Sequence, residues 1–323
     1  MTDISTGSQE GNDIPYFQMD SNCPRVTLGL PVYNGAKYLN NVLTSILNQS
    51  FRDFELIISD NASSDETEQI CRGFAERDGR ITYRRNLANI GLAANHNLLI
   101  HLSRGKYFKW VAHDDEYRSS MLERCVETID AAPSTVTAVY TQCEKIDEFG
   151  DSLGVASDSV GSDSEYSWCR LSHFLLNASI YNFTYGLVRS EILRKTSLHG
   201  LFPIADRVLF AELAMLGELR EIREPLLKLR LHPGRSLRAY RTPQAVRELF
   251  DPSLAGKKSL LSLEGRAYAE LIRCALKTPK GLINKIMCFG VAVLLPPGQR
   301  FRNFGGHWKQ RLLSGVKGPL RLD

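Results

Sequence analysis

The side chains best suited to chemistry in this chain follow short, β-rich runs. Asp60 ends the apolar run Phe54–Ser59 (FELIIS), and Asp114 with Asp115 follow Tyr107–Ala112 (YFKWVA) and His113. Asn34 lies in the turn cluster Pro31-Val32-Tyr33-Asn34-Gly35 after Arg25–Leu30 (RVTLGL). Adjacent carboxylates directly after an apolar strand repel one another without a cation. Hard divalent ions such as Mg²⁺ or Mn²⁺ suit them, taking one or two protein carboxylates plus phosphate oxygens and water. Neither G-x-G-x-x-G nor G-x-x-x-x-G-K-[ST] occurs, so a dinucleotide dehydrogenase or a P-loop ATPase loses its main support. A metal-bridged phosphate, with diphosphate as leaving group, is the chemistry this pattern favours.

Such residues need elements to place them. Leu39, Val42, Leu43, Ile46 and Leu47 share one helical face after the first strand, spaced i, i+3, i+4, i+7, i+8. Ser63-Ser64-Asp65-Glu66 reads as a capping box opening a helix to about Arg77. Ile81–Arg85 is a third strand, Ala93–Leu102 a helix and Tyr107–Ala112 a fourth strand. This βαβαβαβ rhythm predicts an α/β fold, a mostly parallel sheet flanked by helices. Open α/β sheets bind ligands outside the carboxyl ends of their strands, so Asn34, Asp60, Asp114 and Asp115 are expected on one crevice. Beyond it, Met121–Ala131 is a helix, Thr137–Ile146 a strand and 150–164 a mobile loop. Arg207–Leu216 is a helix closed by Gly217, and Arg220–Leu231 a strand. From Gln244 helix formers and basic side chains take over, which sets a boundary near 240.

The 323 residues are 24% charged and 43% apolar, with a net charge of +4. That suits a globular protein and gives no electrostatic case for nucleic acid. The seven cysteines form no C-x-x-C pair, which fits a reducing cytosol and suggests neither disulfides nor zinc. Residues 1–22 are polar and acidic, so a loose tail is expected there and no secretory signal. The longest apolar run, Ile286–Leu295, has ten residues, half of what a transmembrane helix needs.

The ordered series PVYNGAKYL, SILNQSFRDFELIISDNASSDET, NIGLAANHN and GKYFKWVAHDDEY resembles the family 2 glycosyltransferases with the GT-A fold. YGLVRSEIL, ADRVLFAELAMLG and EPLLKLRLHPGRS resemble that family's acceptor half, so the likeness covers about 25–236. It implies a Rossmann-like GT-A domain over 23–240, with a nucleotide-sugar half (23–118) and an acceptor half (119–240), then a helical basic extension over 241–323. It also implies that Pro31, Tyr33, Asn34, Asp60, Asn61, Asn89 and Asp114 hold the donor nucleotide. Asp114 and Asp115 would meet Mg²⁺ or Mn²⁺ and the diphosphate, His232 the donor phosphates, and Asp206 would be the catalytic base of an inverting transfer. Where the family has a further Asp two residues before Asp114, this chain has Ala112, one carboxylate fewer.

The implied enzyme is a cytoplasmic hexosyltransferase-type protein moving a sugar from a UDP- or dTDP-sugar to a carbohydrate or lipid-linked acceptor, in surface polysaccharide or glycolipid assembly. The rivals are a nucleotidyltransferase and a catalytically degenerate nucleotide-sugar-binding protein. Each residue also has a plain structural reading. Asp60 would be a turn former, Asp114 and Asp115 a helix-start pair, Asp206 an N-cap and His232 a surface turn residue. Lys285–Arg302, within 281–311, reads equally as an interfacial segment on the inner face of a membrane and as a core-packed helix.

Overall fold

A computed structural model describes residues 23–234, 242–254 and 262–295. The chain begins with β1 (Val26–Val32), α1 (Ala36–Leu47), β2 (Phe54–Asp60), α2 (Thr67–Ala75), β3 (Ile81–Arg85), α3 (Leu92–Leu102) and β4 (Tyr107–Trp110). It continues through β5 (Glu116–Tyr117), α4 (Met121–Ala131), β6 (Val136–Ile146), β7 (Ser152–Ala156), α5 (Ser167–Asn177), β8 (Leu187–Arg189), α6 (Ser190–Leu193), α7 (Ala205–Leu216) and β9 (Glu218–Arg230). Helices α8 (Pro243–Phe250), α9 (Leu263–Lys277) and α10 (Leu282–Leu294) follow.

One sheet runs β3-β2-β1-β4-β8-β6-β9-β5, with β7 paired to β6. It is parallel from β3 to β4 and mixed beyond, where β8 runs antiparallel to both β4 and β6 while β6 and β9 run parallel. Strand alternation sorts side chains onto two apolar clusters, one on each face. Leu28, Leu56, Tyr107 and the α1 residues Leu39, Val42, Leu43 and Ile46 share one cluster, whereas Ile57, Phe108 and Trp110 join α5 and α7 in the other. Such double coverage explains why every residue of β2 is buried. The basic extension takes part in this packing. Ala267, Leu271 and Cys274 of α9, with Cys288 and Ala292 of α10, sit in the same cluster as Phe174 and Phe210.

Three local readings are corrected. Residues 150–164 are an ordered arm: β7 pairs with β6, and the buried Asp158 accepts the N–H groups of Ser179, Ile180 and Tyr181 and the Ser179 hydroxyl at 2.6–2.8 Å. Ser63 and Glu66 form no capping box, because the Ser63 hydroxyl is taken by Asn34 and no side chain caps α2 from Glu66. Helix α7 starts at Ala205, so Asp206 is its second residue and Ile204 precedes the helix. Gly217 does close α7, in an extended conformation, where a Cβ would stand 2.2 Å from the Thr135 carbonyl oxygen.

Residues 1–22 lie outside the described residues, as do Arg300, Arg302, Lys309 and Arg311. Among the described residues no helix is long and apolar enough to cross a membrane.

Asp158 gathers four donors from a loop with no secondary structure of its own. Asp158→Ala is expected to cost about 2–4 kcal/mol and to open 178–181 to protease. Urea denaturation and limited proteolysis check this, and an unchanged midpoint would remove Asp158 as the organiser of the arm.

Candidate functional site

The turns after β1 and β2 are locked together through backbone donors. The N–H groups of Asn34, Gly35 and Ala36 donate to Ser63 Oγ (2.9 Å), Thr67 Oγ1 (2.9 Å) and Asp65 Oδ2 (3.1 Å). In return the Ser64 N–H donates to Asn34 Oδ1 at 2.8 Å. Asp65 also accepts the Thr67 N–H, so one carboxylate serves the first turns of α1 and α2 together. Burial alone raises its pKa, but the hydrogen bonds from Thr67 and Ala36 bring it below the usual carboxylate value. Asn34 and Ala62 take positive φ angles of 51° and 63° in these turns, a conformation Asn tolerates and Ala adopts at a cost. Glycine is required at 35, since a Cβ would stand 2.8 Å from the His113 ring. The turn after β1 therefore touches the segment after β4, and three strand ends meet at one edge as the topology demands.

Asp60 is fully buried, and both its oxygens are engaged: Oδ1 by the Ser63 N–H (2.9 Å), Oδ2 by the Tyr83 hydroxyl (2.7 Å) and Arg85 (2.9 Å). The group that reaches the surface here is Arg85, which the sequence reading missed although it ends β3 in register beside Asp60. Asn61 and Asn89 are joined at 2.8 Å, and Asn86, Ile90 and Gly91 complete an amide network that shapes the loop before α3. Pro31 lies on β1 opposite Ser59, and Tyr33 is exposed at the rim.

The fold separates the two adjacent carboxylates. Asp114 Oδ2 stands 3.0 Å from His232 Nε2, a pair 118 residues apart in sequence. Asp115 is fully buried, and its Oδ1 accepts the backbone N–H of Arg230 at 2.9 Å. Arg230, also missed by the sequence reading, is the buried hub. Its guanidinium donates to the Asp114, Asp147 and Glu148 carbonyls, pairs with Glu116 and lies 4.8 Å over the Tyr38 ring. Tyr38 also packs on His232 at 5.0 Å. The signal available was the R-x-H spacing at the end of the last strand.

No group of three or more potential ligands is preformed among the described residues. One carboxylate and one imidazole fit a divalent ion that arrives with its diphosphate, since such ions keep most oxygen ligands from phosphate and water. They do not amount to a protein cage.

Asp206 is held within its own helix. Its carboxylate accepts the Arg207 N–H at 2.8 Å, and burial pushes its pKa up to about 6. Ile204 just before the helix has φ 62°, an outlier for a β-branched residue. The loop leading there is clasped by Asn97, which exchanges two hydrogen bonds with the His199 backbone (2.9 and 3.0 Å), while His199 packs edge-on against Trp110 of β4.

A parallel half-sheet with its polar edge at the carboxyl ends of β1, β2 and β4 is the arrangement of a GT-A domain. The chain belongs to glycosyl transferase family 2, whose model matches residues 27–198. It is 30% identical over 218 residues to an uncharacterized glycosyltransferase of Rickettsia prowazekii, covering 66% of each chain. A second relative, from Rickettsia felis, is 33% identical over 141 residues, only 23% of its length. The chain thus spans just under two thirds of the first relative and under a quarter of the second. Among solved structures, residues 1–349 of S. aureus TarS in complex with UDP-GlcNAc superpose with a TM-score of 0.61 at 15% identity, over 92% of this chain and 76% of that one. A mannosyltransferase of Pyrobaculum calidifontis in complex with GDP-Man and Mn²⁺ gives 0.50 at 19% identity, over 92% and 82%. At these identities the likeness is one of fold.

Arg230 is completely enclosed, so removing it strands Glu116 and several carbonyl groups. Arg230→Ala should cost about 3–5 kcal/mol, and Arg230→Lys should recover little, because an ammonium cannot reproduce the planar fork. Chemical denaturation measures both, and a fully stable Ala variant would refute the hub assignment.

Proposed function

We propose that the protein is an inverting glycosyltransferase that moves a sugar from a nucleotide-diphosphate sugar, UDP- or dTDP-linked, to a carbohydrate or lipid-linked acceptor. The setting is surface polysaccharide or glycolipid assembly on the cytoplasmic side of the membrane. The observation that carries the proposal is the Asp114–His232 pair at the carboxyl edge of β4, beside the interlocked turns of β1 and β2. An acidic group and an imidazole side by side at this edge support a diphosphate site there.

In this reading the nucleotide rests against Pro31, Tyr33, Asn34, Asn61 and Asn89, with the Asp60–Arg85 pair beneath it. Asp114 and His232 hold the divalent ion, which supplies charge compensation for the leaving diphosphate. Asp115, turned toward β9, positions Asp114 rather than adding a ligand. Asp206 takes the proton of the acceptor hydroxyl as that oxygen attacks the anomeric carbon. The new C–O bond forms on the face opposite the diphosphate, which departs with the electron pair of the breaking bond, so the anomeric configuration inverts. A carboxyl with a pKa near 6 is ionised at neutral pH and is a stronger proton acceptor than an ordinary aspartate.

One observation favours a second reading. With Ala112 in place of an Asp and Asp115 turned inward, a single carboxylate faces the ion, as would suit a protein that binds a nucleotide sugar without turning it over. A nucleotidyltransferase is less favoured, because PVYNGAKYL lacks a glycine-rich basic loop.

Asp206→Asn separates the first two. General-base catalysis contributes about 10²–10⁴-fold, so turnover should fall by that factor with donor affinity unchanged. The folded pKa lies above the unfolded one, so the stability this group contributes is present at low pH and is lost as pH rises through about 6. The Asn variant should therefore melt at or above the wild-type temperature at neutral pH. Wild-type turnover should likewise decline as pH drops through about 6. An Asn variant with full turnover removes Asp206 from the mechanism.

Asp114→Asn should weaken binding of UDP with Mn²⁺ and abolish the difference made by EDTA. Calorimetry showing equal affinity with and without the ion would refute the metal assignment.

A further inference from the structure

The outer face of α10 reverses the pattern of a surface helix. Cys288 and Ala292 point inward and pack in the cluster formed with α5 and α9. Outward stand Leu282 (73% exposed), Ile283 (78%), Ile286 (58%) and Leu294 (79%), with Met287, Phe289 and Val293 between them. At 100° per residue these seven side chains sweep a continuous sector of about 160° with no polar residue in it. Asn284 and Lys285, the polar residues of α10, fall on its flanks. A helix on a water-exposed surface would carry polar groups over that arc, and apolar patches of this kind mark an interaction site.

The occupant is indicated by charge and length. From Leu271 to Leu322 the sequence contains ten Lys and Arg residues and no Asp or Glu. A second copy docked through the same face would bring Lys280 and Lys285 against themselves, because a two-fold contact uses one patch twice. An anionic surface would instead be complementary. The 13 residues of α10 span only about 20 Å, short of the ~30 Å hydrocarbon core, so the helix can lie in a bilayer interface but cannot cross it. We propose that α10 docks the enzyme on an anionic lipid bilayer, its apolar sector entering the interface and Lys280 and Lys285 meeting the headgroups. This stands on the surface of α10 and needs no assumption about donor or acceptor.

The test is co-sedimentation of the full chain with phosphatidylcholine vesicles with and without phosphatidylglycerol. Binding is expected with the anionic lipid, falling on the order of tenfold as salt rises from about 50 to 500 mM. Ile283→Glu combined with Leu294→Glu alters only exposed positions and should reduce binding at least about tenfold, leaving the melting temperature and UDP affinity unchanged. Lys280→Gln with Lys285→Gln provides a second variant, in which the salt dependence should flatten. The proposal is overturned by absence of binding to anionic vesicles at low salt. It is equally overturned by a Glu variant that binds like wild type, or by a dimer that this variant dissociates while no lipid is bound. Loss of transferase activity alone leaves these readouts unaffected, so the two proposals fail separately.

Discussion

The constraint on which the polar edge of the sheet depends is the capture of three consecutive backbone N–H groups, those of Asn34, Gly35 and Ala36, by Ser63, Thr67 and Asp65. The first N–H groups of a helix have no partner within it, and in most helices a local side chain or water satisfies them. In this protein the start of α1 is satisfied by the start of α2. Neither turn can move without breaking these bonds, so the two strand ends behave as one rigid edge. Asn34 accepts its positive φ within that lock, and Gly35 lets the edge come up against His113.

Arg230 does the corresponding work for the second half. Strand β9 returns beside β6 and delivers a guanidinium into the space between Tyr38 of α1, the Asp114 carbonyl and the turn at Asp147 and Glu148. A buried cation in that position is tolerable because the Glu116 carboxylate, three backbone carbonyls and a ring face meet it. The same strand carries His232 onto Asp114 two residues later. One strand end therefore sets both the backbone and the side-chain geometry of the β4 edge.

Periodic features were legible in the sequence because they are local: the apolar face of α1, the apolar β2 and the order of strands and helices from β1 to β4 all appear where spacing places them. Features decided by distant partners were not. Ser63 and Glu66 have the spacing of a capping box, yet the Asn34 N–H, 29 residues away, competes for the Ser63 hydroxyl and wins. Asp114 and Asp115 look equivalent in a linear reading, and only the register of β9 turns one toward His232 and the other toward a backbone N–H. Arg85 could have been found, since a strand ending in Arg84-Arg85 closes at the same edge as Asp60. The 150–164 arm misled because its Gly, Ser and Asp content is that of a flexible loop, while its order comes from partners elsewhere in the chain, strand β6 for β7 and the 179–181 loop for the buried Asp158.

These pairings engage the carboxylates of the edge, which bears on how a diphosphate could be held there. The Asp60 charge is offset by Arg85 and the Glu116 charge by Arg230, while Asp114 shares a hydrogen bond with His232. A resident divalent cation would face one outward carboxylate, too little to repay the loss of its hydration shell. A cation brought in by a diphosphate would arrive with most of its charge compensated, and Asp114 with His232 would be the residues to orient it. The missing carboxylate at Ala112 and the inward turn of Asp115 act in the same direction. Both leave fewer carboxylates at this edge for a free metal ion.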